Sequence, residues 1–546
     1  MVKFKRGHLY YPEIPIHQVL EDTAKRFPER PAFLYPKNMN YKEFQEKVDI
    51  FASALKNLGV KKGDRVALYG PNSIQWEISF YGLEKAGAIL VPMNPQFKEK
   101  EVEYELNDSG AETIIVSQSE YPYVAAVKAR TNIKNTIIIE SEEKPETPNE
   151  SIGWSEIMED TKLDPPKNEF DVKEDLATLV YTSGTTGLPK GTMLTHYNIV
   201  SNIVQVSQTF ELSELDVAII VLPLYHIYGL NVGMNQAILL GAAQVVTPRF
   251  NVKEFCELIE KYRVTYSLCV PPIFLDVVRH LENPNIREYD WTNLKIFNNG
   301  AAPIPLDLLE RFDKLAKDKC KAKEVTVQHG WGLTEASPVV AVNPMYRRKM
   351  ESQGTLLSDT FHKIIDIETN KELPERGQVG ELVIKGPQVM KGYWRKQEAT
   401  EEAFWIDPST GEKWLRTGDM AYIDNEEYEH LLDRIKEMIK YKGWSIAPAE
   451  LEDLLFNNPH VFDAAVIGKP STEPDIGQIP KAFIILKPES KEKVTEKEIM
   501  DWVAERISAY KKIREVEFLD DIPKSGSGKI LRRELVEKEK KKLGIK

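Results

Sequence analysis

Cysteine is scarce in this chain: Cys256, Cys269 and Cys320 are the only three in 546 residues. So few thiols, without metal-ligand spacing, exclude a disulfide-stapled scaffold or a cysteine-ligated metal module and fit a reducing compartment. Long apolar runs are missing as well. No stretch approaches the ~18 apolar residues that a membrane-spanning helix needs. The basic start MVKFKRGHLYYPEIP leads into no apolar segment, so no signal peptide is expected. Basic residues are not in excess either. Lys and Arg number 72 against 84 Asp and Glu, a net charge of −12. That sign argues against a general nucleic-acid binder, which must neutralise phosphates over a wide face, but leaves room for a small nucleotide. The expected location is cytoplasmic.

What is present is a globular composition, 42% apolar and 29% charged, long enough for two to four units at ~100–200 residues each. EFQEKVDIFASALKNLG is amphipathic and stops at Gly59, a natural C-terminal cap. Residues 144–170 are polar and Pro-rich and read as a surface excursion. From 176 the pattern alternates: strand 176–181 and apolar runs 218–223 and 242–246 come first. Helix 252–263, strand 264–270, helix 273–281, strand 294–299, helix 305–317 and strand 325–329 follow. Such alternation predicts βαβ units and a mostly parallel sheet. Residues 379–432 are β-rich. The remainder reads as a separate α+β unit, with a capping box at Thr495 and Glu498 and a lysine-rich end expected as a solvated helix.

The densest chemistry is YTSGTTGLPKG at 181–191. Thr182, Ser183, Thr185 and Thr186 offer hydroxyls, Gly184, Gly187 and Gly191 let backbone N–H groups approach an anion, and Lys190 adds charge. After a buried strand, such a loop suits a polyphosphate. It is not a Walker loop, because Pro189 stands where Gly is required before Lys190, and Gly191 where Ser or Thr is. PKSGSGKI fails the same test at Pro523 and Ile530.

TSGTTGLPKG resembles the phosphate-loop signature of the adenylate-forming superfamily: acyl-CoA synthetases, coumarate–CoA ligases, luciferases and peptide-synthetase adenylation domains. Further segments agree in order: LPLYHIYG (222–229), NNGAAPI (298–304), QHGWGLTEAS (328–337), GELVIKGPQVMKGYW (380–394), WLRTGDMAYID (414–424), DRIKEMIKYKGWSIAPAELE (433–452) and PKSGSGKILRREL (523–535). The likeness implies an α/β fold, with a large N-terminal domain over 1–432 made of two α/β sheet subdomains plus a small β-barrel. A mobile α+β domain over 433–546 would follow, hinged at Asp433. It also implies an AMP-forming ligase. A carboxylate attacks the α-phosphate of ATP in the presence of Mg2+, releasing pyrophosphate, and coenzyme A then displaces AMP from the acyl-adenylate to give a thioester.

Roles follow by motif position. Thr182, Ser183, Gly184, Thr185, Thr186, Gly187 and Lys190 would meet the phosphates. Gly300, Ala301 and Ala302 would flank adenine on one side, with Gly330, Trp331 and Gly332 on the other; Trp331 stands where the family usually has Tyr. Thr334 matches the α-phosphate contact and Glu335 the metal ligand, one carboxylate being ordinary for Mg2+. Asp419 and Arg434 match the ribose contacts. Lys529 would be the catalytic cation, where a point charge offsets anion repulsion in the transition state. His226 would gate the acyl site, and Lys440, Lys442 and Gly443 would lie near the adenylate or coenzyme A. The acyl pocket would be built from Tyr228, Asn231, Val232 and Asn299 on one side and Gly330, Ala336, Pro338 and Val339 on the other.

Two departures matter. His226-Ile227 replaces the Phe-Asp pair of amino-acid adenylating domains, which argues against an α-amino acid. Trp444-Ser445 replaces an aromatic-Gln pair common in coumarate ligases, so Ser445 inherits no role from that Gln. The expected substrates are small molecules, and the favoured acid is a medium- or long-chain fatty acid. An aryl or short hydroxy acid, a non-CoA acceptor and a catalytically dead nucleotide binder are alternatives. A homodimer is compatible with the likeness.

Overall fold

The structure, a computed structural model, describes residues 7–544 apart from 142–144, 161, 183–187, 301–305, 324, 443, 472, 474–475, 492 and 525–529. The apolar runs of the sequence become the strands of two large sheets. The first has nine strands in the order Thr355–Leu356, Val339–Val342, Thr326–Gly332, Ile296–Asn299, Tyr266–Cys269, Val217–Ile220, Ala243–Val246, Pro31–Tyr35 and Met39–Asn40. Its centre is parallel, with Ile296 opposite Thr326 and Tyr266 opposite Ile296, and only its edges are antiparallel. The βαβ expectation therefore holds across 217–332.

Local signals explain the crossovers. In the helix Val252–Lys261, Asn251 accepts the Glu254 N–H at 3.0 Å, and Phe255, Cys256, Leu258 and Ile259 face inward. Burying each large aliphatic or aromatic side chain stabilises the packing by about 1.5–3 kcal/mol. The chain then turns back at once into Tyr266–Cys269.

The second sheet has eight strands: Gly392–Tyr393, Lys190–Thr195, Leu176–Thr182, Ile89–Met93, Arg65–Tyr69, Thr113–Ser117, Asn135–Ile139 and Ile152–Gly153. The last of these corrects the reading of 144–170 as a plain excursion. The segment contributes an edge strand and the helix Trp154–Asp160, because Trp154 packs on Phe51 and donates to Ser79 Oγ at 3.1 Å.

A five-stranded antiparallel sheet follows. Lys413–Ile423 pairs with Gly380–Lys385, Phe404–Ile406 and Glu429–Arg434, and Phe361–Ile365 forms its far edge. It stands where the small barrel is expected. Asp433 sits inside the last strand, one residue from its end, so the expected boundary falls within a strand. Beyond it come the hairpin Ile439–Tyr441/Trp444–Ile446 and the three strands Val461–Pro470, Gln478–Leu486 and Glu515–Phe518. Thr495 and Glu498 make the expected capping box. The lysine-rich helix Arg532–Leu543 is docked rather than merely solvated: Leu535 is buried, and buried Glu539 meets Lys481 at 3.0 Å. Among the described residues no helix is long and apolar enough to cross a membrane.

Candidate active site

The C-terminal ends of the parallel strands open onto a cleft of ≈ 3520 Å³ that runs between the sheets and under the C-terminal region. Ligands bind at this end of open α/β sheets because the connecting loops diverge there. Thr182 and Lys190 face each other across the hairpin of the second sheet. Lys190 Nζ lies 5.0 Å from the centre of the Tyr393 ring. The Tyr393 hydroxyl donates to Glu335 Oε1 at 2.8 Å, and burial together with that carboxylate holds its pKa well above the phenol range.

Glu335 lies in the short turn Thr334–Ala336 that follows the strand carrying Gly330, Trp331 and Gly332. The turn doubles back so closely that a side chain at Gly332 would meet the Pro338 carbonyl at 2.0 Å, so only glycine fits. Polar contacts hold its descending limb: Asn202 bridges the Val339 carbonyl and N–H at 2.8 and 3.1 Å, and Ser337 Oγ donates to the Gln388 carbonyl at 2.9 Å. Among the described residues no group of three or more His, Cys, Asp or Glu could hold a metal ion. A divalent cation here fits only the arrangement of one carboxylate, Glu335, with phosphate oxygens and water.

On the opposite wall, Asp419 is only 4% exposed and meets Arg434 Nε at 2.8 Å. Arg434 also donates to the Thr417 carbonyl, and the Asp419 charge raises its pKa further. Asp433, next to it, accepts the Ala449 N–H at 2.8 Å, tying this strand to the helix Pro448–Phe456 of the C-terminal region. His226 lines the cleft. Its Nδ1 accepts the Tyr228 N–H, and burial lowers its pKa to about 4, so the ring is neutral at physiological pH.

Of the residues expected to build the acyl pocket, Tyr228, Val232, Gly330, Pro338 and Val339 lie on the cleft wall. The Tyr228 ring packs where a side chain at Gly300 would sit, at 2.8 Å, and its hydroxyl donates to Asn298 Oδ1 at 2.5 Å. Asn231, Asn299 and Ala336 do not line the cleft and correct that part of the expectation. Asn231 is fully buried, with its amide used to bind the Ser337 and Ile199 carbonyls at 2.6 and 3.3 Å. Asn299 and Ala336 lie wholly beneath the wall.

The AMP-binding enzyme family matches residues 20–394, and the AMP-binding enzyme C-terminal domain matches 450–529. The chain belongs to this family. The AMP-binding enzyme is 36% identical to 4-coumarate:CoA ligase 1 of Petunia hybrida over 97% of this chain and 95% of that one. A long-chain-fatty-acid-CoA ligase from Archaeoglobus fulgidus is 36% identical with a TM-score of 0.74, covering 95% of this chain and 99% of that one. MatB from Rhodopseudomonas palustris aligns over 96% of this chain and 99% of its own, at 25% identity and TM-score 0.85 with ATP bound and at 26% and 0.75 in its apo form. The expected adenylate-forming superfamily and AMP-forming acyl-CoA ligase class hold.

In this AMP-binding enzyme, Ser183, Gly184, Thr185, Thr186, Gly187, Ala301, Ala302, Gly443 and Lys529 lie outside the described residues. Lys524 and Ile530, on either side of 525–529, line the cleft, whereas Lys440 and Lys442, on the hairpin Ile439–Tyr441/Trp444–Ile446, are not among its lining residues. Sequence reasoning gave no role to Tyr393, which orients Glu335 and covers Lys190. Its only signal in the chain is the Gly-Tyr-Trp segment at 392–394. It also gave none to Asn202, whose helix carries no recognisable chemistry.

Proposed function

We propose that this AMP-binding enzyme joins a fatty acid of medium or long chain to coenzyme A through an acyl-adenylate, with the cleft as its site. The observation that carries the reading is the convergence of Lys190, Tyr393-held Glu335 and the Asp419–Arg434 pair on one cleft. These are the charges needed to hold a nucleotide polyphosphate by both ends. Asp419 would accept the ribose hydroxyls, Trp331 would stack on adenine, and Thr334 would donate to the α-phosphate. A divalent cation at Glu335 would supply charge neutralisation on the phosphates. Lys529 would offset repulsion between the incoming carboxylate and the α-phosphate, so that the carboxylate oxygen forms the new P–O bond as pyrophosphate leaves. A thiol of coenzyme A would then attack the acyl carbon and expel AMP, after the region beyond Asp433 turns to present Lys440, Lys442 and Gly443. The better superposition on ATP-bound than on apo MatB supports reading this conformer as the adenylating one, as does the cleft-lining position of Lys524 and Ile530.

An apolar tail is supported by Val232, Pro338, Val339 and Val342 on the wall and by the likeness to a fatty-acid ligase. The Tyr228–Asn298 pair on the same wall favours a second reading, an aryl or hydroxylated acid, in line with the coumarate relatives. Measuring AMP and pyrophosphate release from Mg-ATP over acids from acetate to palmitate, with hydroxybutyrate, benzoate and coumarate, with and without coenzyme A, tests both. CoA-dependent turnover that peaks on a C8–C16 chain is expected. A peak on coumarate or hydroxybutyrate would replace the fatty acid, and release indifferent to coenzyme A would replace the acceptor.

A further inference from the structure

We propose that the helix Glu99–Ser109 is the mount for the hairpin ends bearing Thr182 and Lys190, with Tyr104 and Asp108 as positioning residues for the phosphates of ATP. The inference rests on the ATP-binding reading above and assigns to that site two residues that never need to touch substrate.

Tyr104 and Asp108 are four residues apart and so share one face of the helix. Each grips one limb of the hairpin. The Tyr181 hydroxyl donates to Asp108 Oδ2 at 2.8 Å, one residue before Thr182. The Tyr104 hydroxyl donates to the Pro189 carbonyl at 2.7 Å, one residue before Lys190. The two rings meet edge to face at 6.5 Å, so the grips form one unit. Burial and the Asp108 carboxylate raise the Tyr181 pKa far above neutrality, keeping the hydroxyl a donor.

The same Asp108 reaches a third segment. Its Oδ1 meets Lys396 Nζ at 3.0 Å, three residues beyond Tyr393. That segment is in turn laced to the outgoing limb, where the Trp394 N–H donates to the Gly191 carbonyl at 2.8 Å. One carboxylate thus fixes the hairpin relative to the strand whose Tyr393 covers Lys190 and holds Glu335. That strand also pairs directly with the outgoing limb, Tyr393 opposite Thr192, so the carboxylate adds a side-chain brace to the placement of Lys190 and Glu335, the cation and carboxylate that would flank the polyphosphate. A misplacement of about 1 Å at such a site costs far more in rate than in stability.

The full chain is tested as Tyr104→Phe, Tyr181→Phe, Asp108→Ala and Asp108→Asn. Tyr41→Phe serves as a control, because it removes a buried hydroxyl-to-carbonyl bond of the same kind, to Ala242 at 2.7 Å, beside the other sheet. Two assays are needed: ATP–pyrophosphate exchange with the best acid of the panel, and thioester formation from supplied acyl-adenylate and coenzyme A. For exchange, kcat/KM for ATP should fall about fivefold in Tyr104→Phe, which loses a neutral hydrogen bond, and about tenfold in Tyr181→Phe and Asp108→Ala, which lose a charged one. The KM of the acid and the thioester step, in which the β- and γ-phosphates have already left, should be unchanged. Asp108→Asn, which still accepts from Tyr181 but loses the Lys396 ion pair, should recover part of the loss. Equal losses in both half-reactions, an equal loss in Tyr41→Phe, or no loss in any variant would overturn the mount. Absence of exchange in the parent enzyme would instead overturn the ATP-binding reading and the mount with it.

Discussion

The interior behind the turn Thr334–Ala336 and the interior of the region after Asp433 bury polar groups differently. Behind the turn Thr334–Ala336 the polar interior is neutral: Asn202 and Asn231 bind main-chain groups, Tyr81 donates to Asn235, and half-buried His226 and buried His329 have pKa values lowered to about 4. In the C-terminal region the corresponding places hold ions. Arg532 meets Glu437 at 2.7 Å and Glu452 at 2.5 Å, and Lys481 meets Glu517 and Glu539 at 2.7 and 3.0 Å. Neutral amides fix geometry at little desolvation cost, which suits a surface that must hold a nucleotide in one pose. Ion pairs are costly to bury and severe to break. They hold the C-terminal region together as one body, as the proposed turn beyond Asp433 would require.

Four changes would break or sharpen that contrast, here from the largest effect down. Arg532→Ala leaves Glu437 and Glu452 facing each other without their cation and should cost about 3–5 kcal/mol. Hydrogen exchange should show lost protection confined to residues after 434, and uniform loss along the chain would contradict a separate charge-held body. Asn231→Leu strips partners from the Ser337 and Ile199 carbonyls and should cost about 1–3 kcal/mol in the first region only, read as a lower Tm for its transition. Glu77→Gln addresses pH. Burial, eased by a hydrogen bond from Gln244, pushes the Glu77 carboxyl up to about 8 from its ordinary 4.5. Folding therefore takes up a proton between those values, and stability falls as pH rises across that window. The Gln variant should show a flatter denaturant midpoint from pH 5 to 8 than the parent; identical slopes would refute a neutral Glu77. Lys542→Ala, on the exposed side of the Glu517–Glu539 network, should cost under about 1 kcal/mol and vanish in high salt.

Much of this architecture is legible in the chain. The alternation over 217–332 reads as βαβ because apolar strands and amphipathic helices have different periods, and the Thr495–Glu498 box is legible because capping is local. The edge strand Ile152–Gly153 is not legible: two residues carry no period, and only Trp154 landing on Phe51 and Ser79 makes the segment fold. The docked C-terminal helix was hidden for a similar reason. Its one buried anion, Glu539, is surrounded by lysines from strands sixty residues away, which no local pattern reports. At the site, the charged residues stood out through their motifs. The supports did not: a buried Asn such as Asn231 reads as pocket polarity until its main-chain partners are seen, and Tyr104 and Asp108 sit far in sequence from the hairpin they grip.

On the proposed function the two regions would divide the labour, the first holding nucleotide for both half-reactions and the second supplying a cation, Lys529, to the first half-reaction only. Measuring the two half-reactions separately in Lys529→Ala and Asp419→Asn tests it most directly. Lys529→Ala should lose pyrophosphate exchange by about 100-fold or more while still forming thioester from supplied acyl-adenylate, and Asp419→Asn should lose both. Survival of exchange in Lys529→Ala, or loss of both half-reactions together in that variant, would contradict it.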